Sequence, residues 1–232
     1  MNYPLAMAVL GFVGGPHLDH GLAAGQQNYR DNLVELDGQG FADALIRNLT
    51  VNRPEATAVQ FNLLGSHDAP RAMSVMGEDA VRLRIATLLQ LSLPGTPSIY
   101  YGDELAMSGG PDPDCRRSFP EVLADAGEAA LAHRAYVRSA IAARREDIAL
   151  RRGDVSVIGA AARAVALSRE ADGRRGVIVV NAGDDAASLE LGRAPLAGLG
   201  ERQGLTIGRI AIDQDRGVVT LEPRSAAVLL GD

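Results

Sequence analysis

At 232 residues the chain is long enough to bury a sizeable core in one domain or two, and 47% hydrophobic with 22% charged residues is ordinary for a globular protein. A net charge of −6, with all 23 basic residues arginine and no block of them, excludes a surface built for phosphate backbones, so no nucleic-acid partner is expected. No apolar run is long enough for a bilayer, the single Cys115 excludes an internal disulfide, and residues 1–15 lack a basic leader; no membrane partner is expected, and the expected compartment is cytoplasmic.

In chain order, segments 5–13 and 40–49 read as short helices. Between them His17 and His20 have an i, i+3 spacing that could hold a metal, but they lie in a Gly-rich loop without a clear third ligand, so no metal is expected. Asn48-Leu49-Thr50 is a glycosylation sequon by pattern only. The apolar run 58–64 has strand length and the composition of a strand covered on both faces. Val81, Ile85, Leu88 and Leu89 follow at helical spacing, with Asp79 as the cap and Pro94-Gly95 as the stop. Segment 98–101 is the next strand, and the turn residues of 109–114 make a loop. Segment 128–148 is Ala- and Arg-rich and helical in pattern, with His133 expected to be exposed on it.

The texture changes near 151–154. Beyond it the period falls to two, and strands are expected over 155–158, 164–168, 176–181, 188–191, 206–212, 218–221 and 226–230. Asp172-Gly173, Asp184-Asp185 and Arg216-Gly217 turn the chain between several of them, which reads as a small antiparallel β-sandwich. No phosphate-cradling loop or dinucleotide fingerprint is present, and no cofactor is expected.

The chemistry concentrates in two tips. Run 61–71 delivers His67 and Asp68 just past a strand end, where parallel α/β architectures place their ligand sites. A carboxylate there can grip sugar hydroxyls more tightly as positive charge develops on the ring, and a neighbouring imidazole can donate a second hydrogen bond. Pro70 pre-sets the following turn, and Arg71 can orient the carboxylate. In run 109–117, Asp112 and Arg116 offer a carboxylate and a rigid fork of donors on a Gly/Pro loop; the plainer reading is an ion pair pinning that loop. Asp103 and Glu104 read as structural, paired with neighbouring helix ends, and Cys115 as a small buried residue.

These segments, Ser66-His67-Asp68-Ala69-Pro70-Arg71, Tyr100-Tyr101-Gly102-Asp103-Glu104 and Asp112-Pro113-Asp114-Cys115-Arg116, resemble the last motifs of the α-amylase superfamily, and within it the neopullulanase, cyclomaltodextrinase and maltogenic amylase group. The resemblance covers nearly the whole chain. It implies a fold that is α/β plus all-β: the C-terminal three βα units of a TIM (β/α)8 barrel over 1–150, strands six to eight, followed by a small antiparallel β-sandwich over 151–232. Met1-Asn2-Tyr3-Pro4-Leu5 would then be the sixth strand and the start of its helix, with Asn2 and Tyr3 turned toward the barrel interior or rim as substrate contacts.

The resemblance further implies that Asp68 is the third catalytic carboxylate, helped by His67, and that Asp112 and Arg116 reach sugars on the non-reducing side of the cut, with Arg71 beside them. Ala69 stands where threonine is usual, and the tryptophan usual after the Cys-Arg motif is absent. The family's Arg-x-Asp nucleophile strand and glutamate acid strand have no counterpart here, so the polypeptide by itself is expected to be inactive. The implied partner is an α-glucan oligosaccharide or cyclodextrin, together with a second copy of the chain or an N-terminal half. Two alternatives stand: a non-catalytic carbohydrate- or partner-binding module, including the complementing half of a split barrel, and a truncated gene product.

Overall fold

The computed structural model describes residues 1–201 and 205–231; of the expected second domain, residues 202–204 and 232 lie outside the described residues. Helix α1 (Tyr3–Gly14) opens the chain. The Asn2 side chain accepts from Leu5 N–H, and Pro4 sits in the first turn, where a missing N–H costs nothing. Of the sixth strand and helix start expected over 1–5, the helix start is present from Tyr3, and only Met1 and Asn2 precede it. What remains of strand character there is one ladder bond, Asn2 N–H to the Phe61 carbonyl at 2.7 Å.

Short helices α2 (His20–Ala23) and α3 (Gln27–Asn32) lead to α4 (Gly38–Thr50), capped by Asp37, and to α5 (Pro54–Val59). The strand expected over 58–64 is therefore shorter. Pro54 at the first helical position and Glu55 beside it draw Ala58 and Val59 into α5, and β1 is Phe61–Asn62. The short α6 (Ala72–Val75) precedes α7 (Ala80–Ser92), on which Asp79 accepts from the N–H groups of Val81 and Arg82, as its pattern predicts.

Strand β2 is Thr96–Pro97, two residues earlier than the segment expected over 98–101, and it pairs parallel with β1. Gly102, in the left-handed region at φ 87°, then turns the chain into a single helical turn over Asp103–Leu105. Helices α8 (Glu128–Glu146) and α9 (Ile148–Arg152) complete this part.

On α8 the buried residues are His133, Val137, Ala140 and Ala143, one stripe at helical spacing. His133 is thus fully buried rather than exposed: its register on the stripe outweighs the polarity of its neighbours in sequence.

From Asp154 onward the chain is antiparallel sheet. Strands β3 (Asp154–Ala161), β4 (Ala164–Ala171), β5 (Arg174–Asn181), β7 (Leu199–Glu201) and β10 (Ser225–Gly231) form a five-stranded sheet ordered β3-β4-β5-β10-β7. Strands β6 (Ala187–Glu190), β8 (Ile210–Asp213) and β9 (Val218–Leu221) form a second sheet ordered β6-β9-β8, and a helical turn, α10 (Arg193–Leu196), lies between β6 and β7. The strand expected over 206–212 is shortened, since Ile207 makes only a lone bridge to Ala226, and β7 was not anticipated.

The central strands of the five-stranded sheet, β4, β5 and β10, are buried on both faces. Val165, Leu167, Ile178, Val180, Ala226 and Val228 belong to one core with the helices, α4 and α9 lying against these strands, while Ala166, Val177, Val179, Ala227 and Leu229 pack against Leu189, Val219 and Leu221 of the second sheet. Two covered faces explain the uninterrupted Val177-Ile178-Val179-Val180 run. Arginines stitch the helical part to the sheet: Arg82, 2% exposed, donates to the carbonyls of Val13 and Ala182 and to Asp184.

Met1, Val34, Val51, Val59 and Phe61 of the helical part stand exposed. No helix among the described residues is long and apolar enough to cross a membrane.

Candidate functional site

The site begins where β1 runs out. Leu63 and Leu64 are buried, and Gly65 lies so close to the Asp103 carboxylate that an added Cβ would sit 2.7 Å from it; only glycine lets the chain pass there. Ser66 then makes the turn. Its buried hydroxyl accepts from Asp68 N–H at 3.1 Å and shares a hydrogen with the Tyr3 hydroxyl at 2.9 Å. Buried Ala69 anchors the far side of the tip. Between these anchors His67 and Asp68 are lifted into solvent, with side chains 61% and 54% exposed and His67 Nε2 3.2 Å from Asp68 Oδ1.

The second tip closes on the first through a backbone atom. The His67 carbonyl accepts from Arg116 Nε at 3.0 Å and from Cys115 Sγ at 3.3 Å. Arg116 Nη2 in turn meets Asp112 Oδ1 at 2.8 Å, so the expected ion pair is present and lies against the His-Asp tip. The loop carrying them is pinned by Arg71 N–H to the Gly109 carbonyl, by Gly109 N–H to Ser74 Oγ, and by the Tyr101 hydroxyl to the Arg117 carbonyl. Next to it the Arg117 guanidinium holds the exposed Asp114 carboxyl below the usual carboxylate range.

His67, Asp68, Asp112 and Arg116 thus share one open rim, two carboxylates and two donors able to bind neighbouring sugar hydroxyls. Among the described residues no group of three His, Cys, Asp or Glu could hold a metal; His17 pairs with Asp184 at 2.7 Å, and His20 lies 4.0 Å from Glu35.

Two expected contacts take other roles. Asn2 is buried, its amide donating to Asn48, Gln60 and Asn62 and its carbonyl accepting from Asn48, which also buries the sequon asparagine. Its polar atoms are spent on capping α1 and joining it to β1 and α4. Arg71, fully buried, faces Asp103 rather than Asp68: Nη1 donates to Asp103 Oδ1 at 3.0 Å and to the Tyr101 carbonyl, and the guanidinium lies 4.3 and 4.8 Å from the ring centroids of Tyr100 and Tyr101.

Asp103 is therefore structural as expected, but its partner is this arginine and not a helix end. Burial pushes its carboxyl up to about 7 against the downward pull of Arg71. Tyr3 keeps a place beneath the rim through Ser66. Sequence reasoning missed Ser66 as the turn-former and Cys115 as a tie to the His67 carbonyl; the small polar residue just before the His-Asp pair was the available signal for the first.

The profile of the family described as "Alpha amylase, catalytic domain" matches residues 20–153. A cyclomaltodextrinase of Geobacillus thermopakistaniensis is 34% identical over 193 residues, 82% of this chain and 29% of the relative. Among solved structures, the native debranching enzyme of Nostoc punctiforme superimposes with a TM-score of 0.84 at 30% identity, over 100% of this chain and 47% of that one. A cyclic α-maltosyl-(1→6)-maltose hydrolase of Arthrobacter globiformis, in complex with its cyclic sugar, does so with a TM-score of 0.74 at 25% identity, over 99% of this chain and 44% of that one. The chain spans under a third of the length of the curated relative and under half of each solved neighbour.

Proposed function

Because the chain belongs to the α-amylase catalytic-domain family, we propose that it is the C-terminal portion of a retaining α-glucan hydrolase of the neopullulanase or cyclomaltodextrinase type, acting on α-1,4 or α-1,6 glucosidic bonds. In this reading residues 1–150 supply strands six to eight of a (β/α)8 barrel, and 151–232 a C-terminal β-sandwich. Asp68 steadies the sugar at the cleavage point as it acquires oxocarbenium character, with His67 hydrogen-bonding the same ring. Asp112 and Arg116 hold the neighbouring unit, while Arg71 and Asn2 act as positioning residues.

The observation that carries the reading is the shared rim: four exposed polar side chains from two separate tips, locked together through the His67 carbonyl. The sugar bound to the Arthrobacter neighbour favours an oligosaccharide ligand of the same class.

Retaining hydrolysis requires a carboxylate nucleophile and a carboxylic acid flanking one bond, about 5–5.5 Å apart. Neither family motif for these occurs in the 232 residues, so the polypeptide alone binds sugar without cutting it. β1 lies between Asn2 on one side and β2 on the other, and among the described residues nothing pairs with the far side of either; those edges, with the exposed Met1, Val59 and Phe61, favour a form in which a further barrel half, on this or another chain, covers them.

Incubation of the purified chain with cyclodextrin, pullulan and maltotriose tests this. No sugar release above a buffer blank is expected, together with maltotriose saturation-transfer NMR signals that vanish in Asp68→Ala. Release abolished in Asp68→Ala would refute the catalytic incompleteness, and binding unaffected by that substitution would refute the site.

A further inference from the structure

At the opposite end of the parallel pair, where β2 begins, lies a second cleft of about 580 Å3, a volume suited to a small ligand. Its lining includes Gly95, Gly153 and four arginines, Arg144, Arg151, Arg152 and Arg169, and contains neither aspartate nor glutamate. Because β1 and β2 run parallel, the loop 94–96 that opens β2 is remote from the His67–Asp68 tip beyond the end of β1.

The arginines divide into two pairs. Arg144 and Arg169 are built into the walls. Arg169, fully buried, gives Nε and Nη2 to the Gly153 carbonyl and Nη1 to the Ser92 carbonyl. Arg144 donates to the carbonyls of Leu91, Leu93, Leu150 and Gly95. Both satisfy their hydrogen bonds on neutral carbonyls, so neither charge is paired with a carboxylate by a hydrogen bond.

Burial pushes the Arg144 guanidinium down to about 10 and that of Arg169 to about 9, and Arg144 itself adds to the pressure on Arg169. Asp154 acts on Arg169 in the opposite sense but does not line the cleft. Arg151 and Arg152, in the last turn of α9, are exposed, and among the described residues neither has a carboxylate or other acceptor. Two fixed cations at the back and two unengaged guanidinium forks at the mouth leave an uncompensated positive cleft in a chain that is acidic overall.

We propose that this cleft binds a phosphate group, with Arg151 and Arg152 as the direct ligands and Arg144 and Arg169 supplying fixed positive potential behind them. A tetrahedral oxyanion of more than one charge matches guanidinium forks in both geometry and charge, and it relieves the mutual repulsion of the wall arginines. A concave cleft of this size accommodates inorganic phosphate or the phosphate of a small phosphorylated sugar. Since the walls join the end of α7 to β4, occupancy should stiffen the seam between helices and sheet.

The test is thermal unfolding and calorimetric titration of the full chain with inorganic phosphate, with sodium chloride at matched ionic strength, with glucose 6-phosphate and with glucose. A saturable rise in melting temperature with phosphate, absent with chloride and with glucose, is expected. Tighter binding of glucose 6-phosphate would identify a phosphorylated sugar as the source, and equal binding would identify the free anion; both support the site. The double variant R151A/R152A, altered only at exposed positions, should melt at the wild-type temperature without phosphate and bind phosphate at least tenfold more weakly. No saturable effect in the wild type, or undiminished binding in the double variant, would overturn the proposal.

Discussion

Replacing His133 by leucine isolates one buried group and gives a pH signature of known sign. The ring lies on the buried stripe of α8, and neither nitrogen has a hydrogen-bonding partner. Burial, with Arg84 adding to it, pushes its pKa from 6.5 down to about 4, while the nearby Asp103 backbone pulls weakly the other way. Between those values the unfolded chain binds a proton that the folded chain refuses, so the contribution of this ring to stability rises with pH through the window and falls on acidification. The displacement corresponds to roughly 3 kcal/mol of stability lost between about pH 6.5 and pH 4.

The leucine variant has no such proton to refuse. At neutral pH, where the wild-type ring is neutral but unpartnered, the substitution should be neutral or stabilising by about 1–2 kcal/mol, because two unsatisfied polar atoms leave the core. Urea unfolding at half-unit steps from pH 4 to 7.5 measures both effects, with unchanged m-values confirming a common unfolded state. Parallel stability profiles in the two proteins would refute the burial argument. So would a leucine variant destabilised by several kcal/mol at pH 7, which would reveal a partner for the ring.

Removing Arg71 as Arg71→Met leaves the largely buried Asp103 carboxyl, 11% exposed, without its cation, and should cost about 3–5 kcal/mol in denaturant titrations. Asp103→Asn strands the arginine instead, and the double variant should recover about 0.5–3 kcal/mol relative to the sum of the singles; strict additivity would exclude the pair as a unit. Because burial raises the Asp103 carboxyl to about 7, its contribution is favourable at low pH and is lost as pH rises from about 4 through 7; the asparagine variant should lack that fall. Asp79→Ala removes the cap of α7 and should cost about 1 kcal/mol by urea unfolding. Although burial acts upward on Asp79, the N–H bonds from Arg82 and Val81 and the contact with Arg224 outweigh it and hold the carboxyl low. The difference between variant and wild type should therefore be full above about pH 5 and close as the solution is acidified through the folded-state value; a difference independent of pH would exclude the cap as its source.

The elements legible in the sequence are those whose signal is local. The Asp79 cap, the helix ending at Ser92 and the succession of strands beyond Asp154 depend on near neighbours, and each appears in the structure. The His67–Asp68 and Asp112–Arg116 pairs were legible because each forms within its own tip. What escaped depends on contacts distant in sequence. Arg71 and Asp103 are 32 residues apart, and nothing near Arg71 reveals that it turns inward under two tyrosine rings. Asn2 gives a similar lesson, since its burial depends on Asn48, Gln60 and Asn62. Strand ends were misplaced where two-residue strands leave no period to read, as at Phe61–Asn62 and Thr96–Pro97.

The most direct measurement of the sugar-binding role is backbone amide chemical-shift mapping of the 15N-labelled chain during titration with maltotriose. The proposed site requires the largest displacements in 66–71 and 109–117, weakened together in Asp68→Ala and Arg116→Ala. Displacements confined to the sheet region beyond residue 154, or no displacement at saturating sugar, would contradict it.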